Sequence, residues 1–411
     1  MKHERNTMTS DQTYDRVALL IMVTGENNNK FYNMYLTGET LSVEYGRVGV
    51  TKAFKTYPAY KWDSICKAKI RKGYKDQTEL FAKAQATATF ADISDHSIKA
   101  FVDKLMALAK GSIQKNYLVG AEQVTQTQID EAQRVLDGIV GLDRYTPETA
   151  NQHLLSLYSV IPRRMAKVQL HLLDADSSPQ EQRTHFARIM AEEQDNLDVM
   201  RGQVGVIQAK PTDAGKTLLD AMGFQFTPCT PEEEQKILKM LASESRGFFR
   251  RAFRVEHTTT GPRFDQWMGK CKGAHKGTKL FWHGSRSENW WSILGSGLVL
   301  RPTNAIRTGA MFGNGLYFAD RAKKAIGYTS LSGSYWAGGR ATQGFLGVFE
   351  THFGVPYKVE TSQGHLTESR LRQLGDYDCV FAQKGRSLYN NEYIVYNEAQ
   401  ATVRFIVELG K

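Results

Sequence analysis

Three short stretches of this chain gather residue types that do chemistry: LFWHGSR (280–286), MFGNGLYFAD (311–320) and YNNEYIVYN (389–397). Within them stand His283, Tyr317 and Glu392. An imidazole and a carboxylate can hold hydroxyl groups or move protons, and an aromatic ring can stack on a planar one. Taken singly, each has a plainer reading. A His beside Trp282 on an apolar strand is more often a satisfied core residue than a catalyst. Tyr317 in LYF reads as a buried aromatic, and Glu392 as one solvated charge at the start of a strand.

Taken together, they stand in a fixed order, with 34 residues separating His283 from Tyr317. In that order they resemble the catalytic domain of the poly(ADP-ribose) polymerase family. Its hallmarks are H-G-S-R, G-x-Y-F-A-D and N-E-Y-I-V-Y, with a His–Tyr–Glu triad. Three multi-residue matches in sequence form a specific signal. The resemblance implies NAD+ as substrate and no metal. NAD+ reacts at the ribose carbon bearing nicotinamide, through a transition state with oxocarbenium character. An enzyme gains by holding the nicotinamide twisted, stabilising that cation and delivering a nucleophile in line.

The resemblance also implies roles. Glu392 would bond the ribose 2′-hydroxyl, stabilise the developing charge and orient or deprotonate the acceptor hydroxyl. His283 would position the adenosine-side ribose. Gly284 would present its backbone to the carboxamide, where a side chain would intrude. Tyr317 and Tyr328 would stack on opposite faces of the nicotinamide ring. Ser285 would line the same pocket, and Lys324 would lie on the acceptor or phosphate side. Two positions depart from the family. Lys324-Ala325 replaces Lys-Ser, which removes a hydrogen bond of about 0.5–1.5 kcal/mol to the carboxamide. Leu298-Val299 replaces Leu-Arg at the adenosine end, with Arg301 as a substitute. The loop 301–315 would form a donor-site lid. The glycine-rich insertion 331–345 (LSGSYWAGGRATQGF) contains no G-x-G-x-x-G between a strand and a helix and is not a nucleotide fingerprint.

The upstream elements change character twice. VALLIMV (17–23), KFYNMYL (30–36) and LSVEYGRVGV (41–50) read as strands between polar, glycine-bearing turns. Residues 59–84, rich in Ala and Lys and without Pro, read as a helix. Over 92–202, Ile129, Ala132, Leu136, Ile139 and Val140 fall on one helical face, as do Phe186, Ile189, Met190 and Leu197. Pro162 must break or start an element there. Thr230-Pro231-Glu232-Glu233 is a helix start with a hydroxyl cap, a first-position proline and a reciprocal glutamate.

These regions resemble further modules of the same family. Residues 12–88 resemble a WGR domain whose signature tripeptide reads Tyr45-Gly46-Arg47. Residues 92–210 resemble the helical regulatory domain, and 216–411 the catalytic domain. The fold class expected is therefore α+β multidomain: a β-rich WGR module, an all-α regulatory bundle and a mixed α/β ADP-ribosyltransferase fold. The resemblance implies DNA, and strand breaks in particular, as a partner, with Tyr45 stacking on a base and Arg47 meeting a phosphate. It also implies protein acceptors, the chain itself among them.

Composition bounds the rest. The chain has 411 residues, 41% hydrophobic and 23% charged, in the range of a globular protein of two or three domains. Its net charge is +10. The densest basic stretch, 45–75, opposes Arg47, Lys52, Lys55, Lys61, Lys67, Lys69, Arg71, Lys72 and Lys75 to Asp63 alone. Such a stripe suits a polyanion or a solvated face, and composition leaves both open. No apolar run is long enough to span a membrane, and the polar N-terminus is no secretory signal. The expected location is intracellular: nuclear in a eukaryote, cytoplasmic in a prokaryote or phage-infected cell. Four scattered cysteines, with no CxxC, argue against a disulfide framework, and Cys271 and His275 read as a coincidental pair. The leading reading is a DNA-dependent poly(ADP-ribosyl) transferase. A mono-transferase and a DNA-binding scaffold with a decayed catalytic domain are the alternatives.

Overall fold

The computed structural model describes residues 14–50, 52–78, 90–139, 146–208, 215–300 and 311–411. Val140, Arg301 and the lid residues 301–310 lie outside them. The chain divides into two compact units: Met1–Thr87 with Gly111–Ile207, and Ala88–Lys110 with Gln208–Lys411.

The first unit opens with β1 (Arg16–Thr24), β2 (Asn28–Thr37), β3 (Thr40–Arg47) and β4 (Ala53–Pro58), followed by α1 (Trp62–Arg71) and the short β5 (Lys75–Asp76). The strands form an antiparallel sheet in the order β4-β3-β2-β1-β5. Alternate residues point to one face. That face buries Ala18, Leu20, Tyr32, Met34, Leu41 and Val43 against Trp62 and Tyr74. Residues 79–84 of the helix expected over 59–84 lie outside the described residues, and within 59–78 the α-helix spans Trp62–Arg71 alone. It stops at Arg71 because Gly73, at φ +91°, reverses the chain, and Lys75 and Asp76 then pair with Ile21 and Leu20 of β1.

Helices follow: α2 (His96–Asn116), α3 (Gln126–Gly138), α4 (Pro147–Val160) and α5 (Pro179–Gln208). Thr125 caps α3 in a reciprocal box with Gln128. The expected face of Ile129, Ala132, Leu136 and Ile139 is buried, as are Phe186, Ile189, Met190 and Leu197. Helix α4 ends two residues before Pro162. Beyond it, Arg163 and Glu193 form a buried ion pair at 2.7 Å.

In the second unit, the part of α2 up to Lys110 buries Phe101 against Phe226, Phe253 and Phe345. Then come α6 (Leu218–Met222), β6 (Phe224–Pro228), α7 (Pro231–Arg246), β7 (Phe249–His257), α8 (Thr260–Lys270) and β8 (Thr278–Gly284). Helix α7 starts at the predicted cap, with Thr230 and Glu233 bonding each other's backbone. Next are α9 (Trp290–Ser296), β9 (Leu316–Ala319), α10 (Ala322–Ile326), β10 (Gln343–His352), β11 (Pro356–Val359) and α11 (Glu368–Gly375). The chain closes with β12 (Cys379–Ala382), β13 (Glu392–Val395) and β14 (Ala401–Gly410). The nine strands run β11-β12-β13-β9-β8-β10-β14-β7-β6. One core, around Trp282, Leu346, Val348 and Val407, lies on α7 and α10. A second, around Phe312, Leu366, Val380 and Ile394, lies towards α11. Glu408 at the end of β14 binds Lys104 of α2 at 2.5 Å and Arg251 of β7 at 2.6 Å.

Candidate active site

The nine-stranded sheet is joined at its middle by a single rung. Strands β8 and β9 pair only at Trp282↔Ala319. Ala319 also pairs with Glu392, which pairs with Ala382 on its other side. Trp282, Ala319 and Glu392 therefore lie on one line across three strands. One residue past the rung, the strands part, and the candidate site is built there.

His283 reaches across the parting. Its Nδ1 lies 3.0 Å from the carbonyl oxygen of Tyr317. A carbonyl only accepts, so Nδ1 carries the hydrogen, and in the neutral ring Nε2 is the acceptor. The rings of Trp290, Phe318 and Phe349 meet the imidazole edge-on at 6.4, 5.9 and 5.8 Å. These contacts fix the ring plane.

Gly284 is glycine for a steric reason. A Cβ there would fall 1.9 Å from the carbonyl oxygen of Ala325. What excludes a side chain is thus the backbone of α10 packed beneath the strand, in addition to any ligand above it. Ala325 itself is buried in the core with Trp282, Leu331 and Leu346. Ser285 Oγ accepts from Asn289 Nδ2 at 3.1 Å.

Tyr317 is half-buried, and its hydroxyl donates to the carbonyl of Gly313 at 2.7 Å and accepts from the Phe312 amide at 3.1 Å. The phenol thereby closes the turn that leads into β9. Gly313 holds φ +82°, and a Cβ there would strike the Leu366 carbonyl at 2.1 Å.

Glu392 opens β13, and its carboxylate lies 2.6 Å from the ammonium of Lys324 on α10; both side chains are 8% exposed. Burial pushes the Glu392 carboxyl up, and the Lys324 charge only partly offsets it. Lys324 was expected on the acceptor or phosphate side; the structure adds that it is the direct partner of Glu392 and also reaches the Asn390 carbonyl at 3.4 Å. Asn391, whose role the sequence did not disclose, donates to Asp320 at 2.9 Å and accepts from the Lys384 amide at 2.8 Å. It ties the entry of β13 to the end of β9. Tyr328, at the far end of α10, is near enough to Glu392 for its charge to add to burial in pushing the phenol up.

The first unit carries Tyr45 and Arg47. The half-buried Tyr45 ring packs 5.6 Å from Tyr32, which also carries the Lys69 ammonium at 3.7 Å and meets Tyr74 edge-on at 6.3 Å. Arg47 donates to the carbonyl of Asn27 at 2.6 Å, to Asn27 Oδ1 at 2.9 Å and to the Ala166 carbonyl at 3.1 Å. Its guanidinium is held within its own unit. Cys271 and His275 gather near His352 and Asp378: Cys271 Sγ lies 3.7 Å from His352 Nε2, and His275 Nδ1 2.7 Å from Asp378. Among the described residues, no group of three or more His, Cys, Asp or Glu could hold a metal ion.

Residues 232–336 match the poly(ADP-ribose) polymerase catalytic domain. Protein 101L of invertebrate iridescent virus 6 is 34% identical over 187 residues, covering 45% of this chain and 76% of that protein. The poly(ADP-ribose) polymerase-like protein 100L of the same virus is 31% identical over 142 residues, covering 33% of this chain and 73% of that protein. Poly(ADP-ribose) polymerase 2 of Arabidopsis thaliana is 32% identical over 183 residues, covering 38% of this chain. The match spans 27% of that plant protein's length.

Proposed function

We propose that this chain, which belongs to the poly(ADP-ribose) polymerase family and is an NAD+ ADP-ribosyltransferase, builds poly(ADP-ribose) on protein acceptors, itself included, when its first unit meets broken DNA. The observation that carries the polymer reading is the buried carboxylate of Glu392 held by Lys324. An ion pair withdrawn from water costs stability unless both partners are well bonded, so its presence inside a catalytic domain calls for a role.

In this reading, NAD+ lies across the parting of β8 and β9. The His283 ring accepts a ribose hydroxyl through Nε2 while its Nδ1–H stays on Tyr317. Tyr317 and Tyr328 flank the nicotinamide ring, and Gly284 leaves its backbone open to the carboxamide. Glu392 faces the ribose carbon. As the bond from that carbon to the nicotinamide nitrogen breaks, the electron pair leaves with nicotinamide, and the carboxylate stabilises the positive charge left on the ribose. The acceptor hydroxyl oxygen then bonds to the carbon, and its proton passes to Glu392. Burial raises the proton affinity of Glu392, which suits it to that task. Lys324 keeps the carboxylate ionised until then and fixes its direction.

The basic stretch 45–75 supports DNA as the partner of the first unit, since Lys67, Arg71 and Lys75 are exposed on and just after α1. The test is to incubate the purified chain with labelled NAD+, with and without nicked DNA, and to resolve products by size. A ladder that needs DNA and is lost in Glu392→Gln is the expected result. A single label on protein would replace polymer synthesis by mono-transfer, and DNA binding with no label would leave only a scaffold.

A further inference from the structure

The chain between Ser330 and Ala341 folds back on itself and is tied at every step. The Ala341 amide donates to the Ser330 carbonyl at 2.9 Å, the Ser332 amide to Ala341 at 2.7 Å and the Gly333 amide to Gly339 at 3.2 Å. The Gly327 carbonyl accepts from both Trp336 and Ala337, at 2.9 and 3.0 Å. A Cβ on Gly339 would meet the Leu331 carbonyl oxygen at 2.4 Å. The loop is thus closed by its own backbone bonds, yet it displays two large aromatic side chains to water: Tyr335 is 81% and Trp336 60% exposed.

Their arrangement is ordered. The Trp336 ring lies within 17° of parallel to Tyr328, centroids 6.1 Å apart, and Tyr335 meets Trp336 edge-on at 4.7 Å. Tyr328 in turn is bonded through its amide to the Ala325 carbonyl at 3.0 Å, next to Lys324, which holds Glu392 at 2.6 Å. Three rings thus lead from the neighbourhood of the Glu392 carboxylate out to solvent. Exposed Arg340 belongs to the same loop, and the Lys411 ammonium lies beside Gly333. Aromatic faces on a loop that also bears one cation and adjoins another suit a nucleotide, because every base has a π-face and every phosphate an anionic oxygen.

We propose that Trp336 and Tyr335 form a stacking platform for the purine base of the acceptor, the adenine of an ADP-ribose unit whose hydroxyl is presented to Glu392. The proposal rests on the transferase reading above and adds to it the residues that choose a nucleotide acceptor over water or a protein side chain.

The experiment uses the full chain in the Glu392→Gln background, with saturating NAD+ filling the donor site. ADP-ribose, and ribose 5-phosphate as the ligand without a base, are titrated against it by calorimetry. ADP-ribose should bind and ribose 5-phosphate should not. Trp336→Ala should weaken ADP-ribose binding about tenfold, and Trp336→Phe, which keeps a flat ring, should restore most of it. With Glu392 intact, Trp336→Ala should also shorten the polymer made per nicotinamide released. ADP-ribose binding equally well to Trp336→Ala, or ribose 5-phosphate binding as well as ADP-ribose, overturns the platform. Absence of nicotinamide release from the unaltered chain would instead sink the transferase reading, and the titration would still decide the platform on its own.

Discussion

The ammonium of Lys324 and the carboxylate of Glu392 meet at 2.6 Å in a place where neither side chain is more than 8% exposed. The pair joins α10 to the first residue of β13, so the geometry of the carboxylate depends on how α10 is seated. The same pair sets the protonation of the carboxylate, since burial raises its pKa and Lys324 lowers it.

This fixes a pH dependence. In the proposed mechanism transfer needs Glu392 ionised, so the acid limb of kcat/KM should lie above the ordinary carboxylate range, with activity rising as pH passes through it. Lys324→Met removes the charge that favours ionisation and should move the limb to higher pH. Glu392→Gln should lower kcat by about 10²-fold or more. A Lys324→Met profile with its acid limb unmoved or lowered would contradict the assignment.

Gly284→Ala places a methyl group where the Ala325 carbonyl already stands, 1.9 Å away. Strand β8 or helix α10 must shift. The expected cost is about 1–3 kcal/mol of stability, seen as a lower Tm, together with a raised KM for NAD+. An unchanged Tm would mean that α10 is not seated as described.

Glu408 predicts acid sensitivity in the second unit. Burial pushes its carboxyl up, but its bonds to Lys104 and Arg251 outweigh that and hold it below the ordinary range. A depressed carboxyl stabilises the fold above its unfolded-state pKa, and this contribution disappears as pH falls through the folded value. Glu408→Gln should therefore lose about 1.5–3 kcal/mol at neutral pH and show a flatter decline of Tm on acidification. Parallel Tm–pH curves for the two proteins would rule this out.

The basic face of the first unit separates two kinds of residue. Arg47 is bonded to three oxygen atoms of its own unit, so Arg47→Ala should lower Tm along with DNA affinity. Lys67→Gln and Arg71→Gln, on the exposed side of α1, should each reduce the slope of log K against log salt by about one while leaving Tm in place. Salt slopes that match the unaltered chain would move the DNA contact elsewhere.

How much of this was legible in the sequence varied with the range of the interaction. The helix start at Thr230-Pro231 and the buried face of α3 were readable, because capping and 3.6-residue periodicity are local. The end of α1 was not, since Gly73 acts there with a tertiary pairing to β1 that composition does not reveal. His283, Tyr317 and Glu392 were found through their motifs, but their arrangement was not. The single rung, the Nδ1 bond of His283 and the Lys324–Glu392 pair join residues 34 to 68 positions apart along the chain. Arg47 is a different case: its motif suggested a phosphate contact, and the fold adds bonds from its guanidinium to two backbone oxygens and to Asn27 Oδ1 that the motif did not disclose. Trp336 lay in a segment noticed for its glycines, and its exposure became visible only with the loop closed.

The lone rung between Trp282 and Ala319 has a thermodynamic consequence. It leaves the catalytic sheet as two half-sheets joined by one backbone pairing, with side-chain contacts such as Phe281 on Tyr393 and His283 on Phe318 spanning the rest of the seam. A sheet so joined should melt less cooperatively than one with a continuous ladder, since one half can loosen while the other stays ordered. In the proposed site a dinucleotide laid across the seam would staple the halves together, so saturation should sharpen the calorimetric transition as well as raise it. The width of the melt then reports whether both halves are gripped at once.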